Sequence, residues 1–232
     1  MDVELHYREQ GSGCPLVLLH GNGEDGSYFE HQIERFSKRF RVIALDTRGH
    51  GGSPRGSAPF TFGQFADDLL DFVDRQGIPR AHFLGFSDGG IIALLFALGH
   101  PERVNRLVLN GANLYPDGVE PGLRARIREK HERYRANAPY EDPAVQRKYE
   151  LVRLMAEEPQ IDPEELAALA VPTLVIAGED DMIEDAHTRL IHASLPNAQL
   201  AIIPGDHFIA HDNPEAFNEA VERFLLEAEE EK

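Results

Sequence analysis

Apolar residues along this chain follow two alternating rhythms. Continuous apolar runs at residues 15–19, 41–45, 81–86, 106–110, 171–177 and 199–203 predict short strands, the 15–19 run being buried on both faces as in a parallel sheet. Between them, residues 28–40, 60–75, 88–99, 186–194 and 214–227 read as helices. The 60–75 stretch carries Phe62, Phe65, Leu69, Leu70, Phe72 and Val73, with Thr61 placed to cap its start and Gly77 and Pro79 to stop it. Residues 3–8 alternate instead, Val3, Leu5 and Tyr7 against Glu4, His6 and Arg8, which predicts a half-exposed strand.

Strands alternating with helices imply an α/β fold, a mostly parallel sheet covered by helices on both faces. The rhythm breaks between residues 115 and 169, which are charged, helical in pattern and free of strand-like runs. Pro139, Pro143, Pro159 and Pro163 divide this stretch into two or three short helices inserted as a lid. The expected organisation is a core made of residues 1–113 and 170–232 with a helical cap over 114–169. The acidic end through Lys232 is expected to be solvated.

Composition narrows the function classes. At 232 residues with 42% apolar content, the chain suits one sizeable domain with a substantial core. A formal net charge of −17 argues against nucleic acid and anionic membranes as partners. No run approaches the roughly 20 apolar residues of a membrane span, and the first residues lack the basic and apolar regions of a secretory leader. The single cysteine, Cys14, excludes an internal disulfide and reads as a structural thiol. The cytoplasm is the expected compartment. The sequence leaves the oligomeric state open.

In open α/β sheets, ligands bind at the carboxyl ends of the strands. His20, Asp46, Ser87, Asn113, Asp180, Asp181 and His207 each follow a predicted strand. Ser87 stands between Gly85 and Gly89 in a G-x-S-x-G pattern at a strand-to-helix turn. Such a turn exposes the hydroxyl and aims the free N–H groups of the next helix at the same cleft. A serine hydroxyl needs a base within hydrogen-bond reach, and the base needs a group that fixes its tautomer. Carboxylates after the 171–177 run and a histidine after the last run supply both, in the order Ser, Asp, His.

The chain resembles the α/β-hydrolase family over almost its full length. The resemblance rests on His20-Gly21-Asn22-Gly23, residues 46–53 (DTRGHGGS), Gly85-Phe86-Ser87-Asp88-Gly89-Gly90, Gly178-Glu179-Asp180-Asp181 and Pro204-Gly205-Asp206-His207-Phe208. It implies Ser87 as nucleophile, His207 as general base and then acid, and Asp181, with Asp180 as the alternative, orienting the imidazole. The oxyanion donors it implies are the backbone N–H groups of Asn22 and Asp88. The Ser87-Asp88-Gly89-Gly90 segment, with Gly111-Ala112-Asn113-Leu114-Tyr115, is similar to the branch holding valacyclovir hydrolase-like enzymes, which cleave amino-acid esters. That implies a substrate contact for the Asp88 side chain, against the plainer role of charging a helix N-terminus. Two departures stand out. The extra N-terminal strand the family often has is expected to be missing, since the chain begins so abruptly, and the compact insert predicts a fairly open or shallow pocket.

The remaining polar residues read as structural. His20, Arg48 and His50 are expected to brace loops, and the other histidines to lie on the surface. His207 and His211 are four apart, yet no glutamate stands where H-E-x-x-H needs it, so no metal is expected. The glycines at 49, 51 and 52 lack the lysine and spacing of nucleotide loops, so no cofactor is expected. The arginine run Arg124, Arg126, Arg128, Arg133, Arg135 reads as a solvated helix face, with attraction of an anionic substrate as the alternative. Together these readings predict a serine hydrolase of small carboxylic esters. The alternatives are amino-acid esters, lactones or C–C bonds with the same triad, or a ligand-binding protein without catalysis.

Overall fold

The inner strands of the sheet are mostly apolar on both sides because both sides are covered. In the computed structural model, which describes residues 2–227, seven strands form one sheet: β1 (Tyr7–Gln10), β2 (Pro15–Leu19), β3 (Arg41–Leu45), β4 (Ala81–Phe86), β5 (Val104–Asn110), β6 (Thr173–Gly178) and β7 (Ala198–Ile203). Their order across the sheet is β1-β3-β2-β4-β5-β6-β7. All neighbours run parallel except β1, which pairs antiparallel with β3 at the edge.

Alternate residues feed two cores. Val17, Leu19, Ile43, Leu45, Phe83, Leu107, Leu109 and Val175 face one side, and Leu16, Leu18, Val42, Ala44, Leu84, Phe86, Val108, Leu174 and Ile176 the other. The first side is covered by α2 (Phe62–Arg75), α3 (Asp88–Gly99) and α6 (Asp185–Ser194), the second by α1 (Glu30–Phe36), the one-turn α7 (Ile209–Asp212) and α8 (Pro214–Leu226). Helix α3 is apolar nearly all round because it packs on β2, β4 and β5 inside and α2 outside. Thr61 caps α2 by accepting from the Gln64 N–H at 3.1 Å.

Between β5 and β6 the chain builds α4 (Pro121–Arg135), α5 (Pro143–Glu157) and a 3-10 stretch at Pro163–Ala168. Leu151, Leu154, Ile161, Leu166 and Leu169 anchor this segment in the core beneath it. Polar ties add to the anchor: Arg55 grips Glu150 through two bonds of 2.9 and 2.8 Å, and Arg147 donates to the Gly49 carbonyl at 2.6 Å.

Two stretches depart most from the pattern, and one element is not readable in it. The first strand is Tyr7–Gln10 rather than 3–8, because β3 ends at Leu45 opposite Tyr7. Val3 and Leu5 are buried all the same. The 28–40 stretch divides into a 3-10 turn at Gly26–Phe29 and α1, which stops at Phe36 so that Phe36 and Phe40 can both bury in the same core. The turn α7 carries no apolar repeat long enough to read. The expected solvated tail beyond residue 227 lies outside the described residues. Among those, no helix is long and apolar enough to cross a membrane.

Candidate active site

Ser87 joins β4 to α3 with φ 53° and ψ −118°, the one positive φ outside glycine among the described residues. Such a backbone costs about 1–3 kcal/mol and persists only where surroundings enforce it. Here β4 delivers the chain into the turn and the Ser87 N–H donates to the Asn110 carbonyl at 2.8 Å. The Gly90 and Ile91 N–H groups both donate to the Ser87 carbonyl. A side chain at Gly89 would run into the Leu19 and His20 carbonyls, and one at Gly85 into Gly89. Glycine at both positions therefore lets α3 start against β2 with the hydroxyl projecting from the rim.

Three strand ends meet there. His207 Nε2 lies 3.0 Å from Ser87 Oγ, and His207 Nδ1 lies 2.7 Å from Asp181 Oδ1. Asp181 follows β6 and is held by the Ile183 N–H at 2.9 Å, while Asp180 is exposed. The imidazole is buried and flanked by Phe86 and Phe208, ring centroids 4.8 and 5.6 Å away. Gly111 clears its space: a Cβ there would sit 2.7 Å from His207 Cε1. With Nδ1–H donated to a carboxylate, Nε2 is left free to accept the serine proton, so the chain of groups can pass a proton from alcohol to imidazole. Because Asp181 and Ser87 occupy both ring nitrogens, His207 does not pair with His211.

The Asn22 and Asp88 backbone N–H groups have no protein acceptor among the described residues. Their side chains hold each other instead: Asn22 Nδ2 donates to Asp88 Oδ2 at 2.8 Å, and to the Leu151 carbonyl of α5 at 3.3 Å. Burial pushes the Asp88 carboxyl up to about 6, against the Asn22 bond, which lowers it. The rest of the loop is pinned. Gly21 N–H donates to Glu24 Oε2 at 3.1 Å and Gly23 N–H to His50 Nε2 at 3.3 Å. His20 accepts from the Thr47 N–H at 3.0 Å. Burial lowers both histidines, His50 to about 3, which keeps them neutral and able to accept.

A cavity of about 320 Å³ opens beside Ser87 and Asp88, at the small end of ligand pockets. The compact insert, expected to leave a fairly open or shallow pocket, contributes Leu123, Ile127, Val152 and Met155 of α4 and α5 to its walls. The floor includes Asn22, Ile91, Asn113, Met182 and Ile183.

A model of the alpha/beta hydrolase fold matches residues 15–146 of the chain. The chain belongs to the α/β-hydrolase fold family. Similar proteins span this hydrolase almost end to end. One named "Putative carbamate hydrolase RutD", from Caulobacter sp. strain K31, is 32% identical over 96% of this chain and 94% of its own. The 3-oxoadipate enol-lactonase 2 of Acinetobacter baylyi is 29% identical over 97% and 94%. Among solved structures, the enol-lactonase from Burkholderia xenovorans LB400 superposes with a TM-score of 0.80 at 28% identity, covering 97% of both chains.

The hydrolase also corrects part of the sequence reading. His82, His131 and His187 are buried rather than on the surface. His82 lies on β4, covered on both faces, and burial lowers it to about 4. His187 Nε2 accepts from the Leu114 N–H at 2.9 Å, tying α6 to the start of the insert. Helical spacing from His187 to the buried Ile191 was the available signal. Arg48 is buried and paired with Asp68 through two bonds of 2.6 Å and with Asp2 at 2.7 Å. Nothing in the sequence pattern singles out the Asn22–Asp88 bond or Glu24.

Proposed function

We propose that this α/β-hydrolase is a serine hydrolase of small carboxylic esters, working through an acyl-enzyme on Ser87. The observation that supports it is the continuous relay from Ser87 Oγ through His207 to Asp181, with steps of 3.0 and 2.7 Å. In this reading Ser87 Oγ attacks the ester carbonyl carbon as its proton passes to His207 Nε2. The carbonyl oxygen becomes an oxyanion held by the Asn22 and Asp88 N–H groups, each donor contributing about 3–4 kcal/mol to the transition state. The intermediate collapses, the C–O bond to the alcohol breaks, and His207 returns the proton to the leaving alkoxide. Water, deprotonated by His207, then releases the acid and restores Ser87. Asp181 stabilises the imidazolium of both steps. The Asp88 side chain, bonded to Asn22, serves here to hold the two oxyanion donors together. Lactones, as cyclic esters, fall within the same chemistry, in keeping with the enol-lactonase relatives.

The test is turnover of p-nitrophenyl acetate and butyrate alongside aminoacyl and lactone substrates. A burst of one p-nitrophenol per chain, covalent labelling of Ser87 by an organophosphate and loss of both in Ser87→Ala are expected. Saturable ligand binding with neither burst nor labelling would overturn the reading in favour of a binding protein.

A further inference from the structure

Resting on that reading, we propose that the hydrolase prefers acyl esters or lactones carrying a second, free carboxylate, and that Arg126 and Lys130 on α4 bind it. The arginine run does not act as one solvated face. Arg124 and Arg128 both bond Asp117, and Arg135 bonds Glu132. Arg126 and Lys130 have no ion pair or hydrogen bond among the described residues and instead line the cavity beside Ser87. Glu120, the acid whose field Arg126 feels, spends its two oxygens capping the Gly122 and Leu123 N–H groups at 2.8 Å. One helical face of α4 thus presents Leu123, Arg126, Ile127 and Lys130 to the cavity, apolar and cationic groups in alternating turns.

Exposure orders the charges within the cavity. Asp88 is buried next to Ser87, and Glu158 is half-buried with Oε2 accepting from the Phe62 N–H at 3.0 Å. Arg126 and Lys130 are exposed and so mark the mouth. An anion is disfavoured beside Asp88 and welcomed at the mouth, with Leu123, Ile127 and Met155 along the apolar path between. A reacting ester carbonyl at Ser87 and a free carboxylate at the far end of a short acyl chain fit that order. In a chain of net charge −17, two unpaired cations at a cavity mouth are also the local means of drawing an anionic substrate in.

The experiment compares monomethyl glutarate with methyl valerate, which differ by a carboxylate against a methyl group at the distal end. The expected kcat/KM ratio exceeds tenfold in favour of the glutarate ester. It should fall at least tenfold in Arg126→Gln/Lys130→Gln, mainly through KM, and fall in about 1 M salt, where charges are screened beyond roughly 3 Å. Arg128→Gln, on the solvent side, should leave the ratio unchanged. A ratio of one or less, or a ratio the double variant does not move, overturns the subsite while p-nitrophenyl acetate turnover still upholds the hydrolase reading. If no ester is turned over, that reading fails, and calorimetry on Ser87→Ala decides the subsite separately. Binding of monomethyl glutarate that the double variant abolishes supports it, and absence of binding sinks it.

Discussion

The rim of the sheet and the helical segment above it treat polar groups in opposite ways. At the rim they are buried, few and tied to the main chain: His20, His50, Asp46 and Asp181 each hold a backbone N–H, and the two histidines are kept neutral by burial. In the segment they are mostly exposed, numerous and paired with one another across α4, like Arg128 with Asp117. A group in the first environment has one permitted geometry, since an unmade bond there costs the full desolvation of its partner. A group in the second exchanges water for a salt bridge at little gain. Positional demands of chemistry are met in the first, and adjustable recognition suits the second.

Substitutions should reveal that contrast in their size. Ser87→Ala is expected to lower ester turnover by about 10⁴–10⁶-fold with thermal unfolding within a few degrees of the parent, read by steady-state kinetics and calorimetry. Next, Gly111→Ala pushes a methyl against the His207 ring, and displacing that ring by about an ångström should cost about 100-fold in kcat. A normal rate with a crystallographically unmoved ring would show the rim to be more forgiving than its packing implies. Asn22→Ala severs the bonds to Asp88 and Leu151. Its expected signature is a roughly tenfold fall in kcat with KM nearly constant, because the backbone donor stays while its placement loosens.

At contacts away from the triad, effects should fall on stability. Arg55→Ala removes a two-bond pair with Glu150 that is partly open to water, and about 1 kcal/mol in urea unfolding is expected, with kcat within twofold. Glu24→Gln is read in the pH dependence of stability. Burial raises Glu24 from 4.5 to about 7, so the folded state favours its protonated form. Its contribution is present below pH 4.5 and lost as pH rises to 7. The glutamine variant should therefore show a shallower decline in melting temperature between pH 4.5 and 7 than the parent, and parallel profiles would remove Glu24 from the account.

The rim was readable in the amino-acid order because its demands are local. A strained serine turn calls for glycine two residues to either side, and each inner strand must be largely apolar at successive positions to be covered twice. The carboxylate and histidine follow strands whose ends converge by topology. What escaped notice depends on distant partners. Asn22 and Asp88 stand 66 positions apart, and no periodicity links them. Arg126 differs from Arg124 and Arg128 only in which way it faces on α4, which Asp117 and the cavity decide together. Residue type alone places the histidines on the surface, although His82 lies within an apolar strand covered on both faces.

The bond from Asn22 to the Leu151 carbonyl has a bearing on how such a protein could be altered by selection or by hand. Because the acceptor is main chain, every residue of α5 can be exchanged without touching it, provided the helix keeps its height over the sheet. Shortening or tilting α5 would withdraw the acceptor whatever side chains it carried. Point replacements along α5 thus leave the bond in place, whereas grafting a foreign helical segment requires that one oxygen be put back.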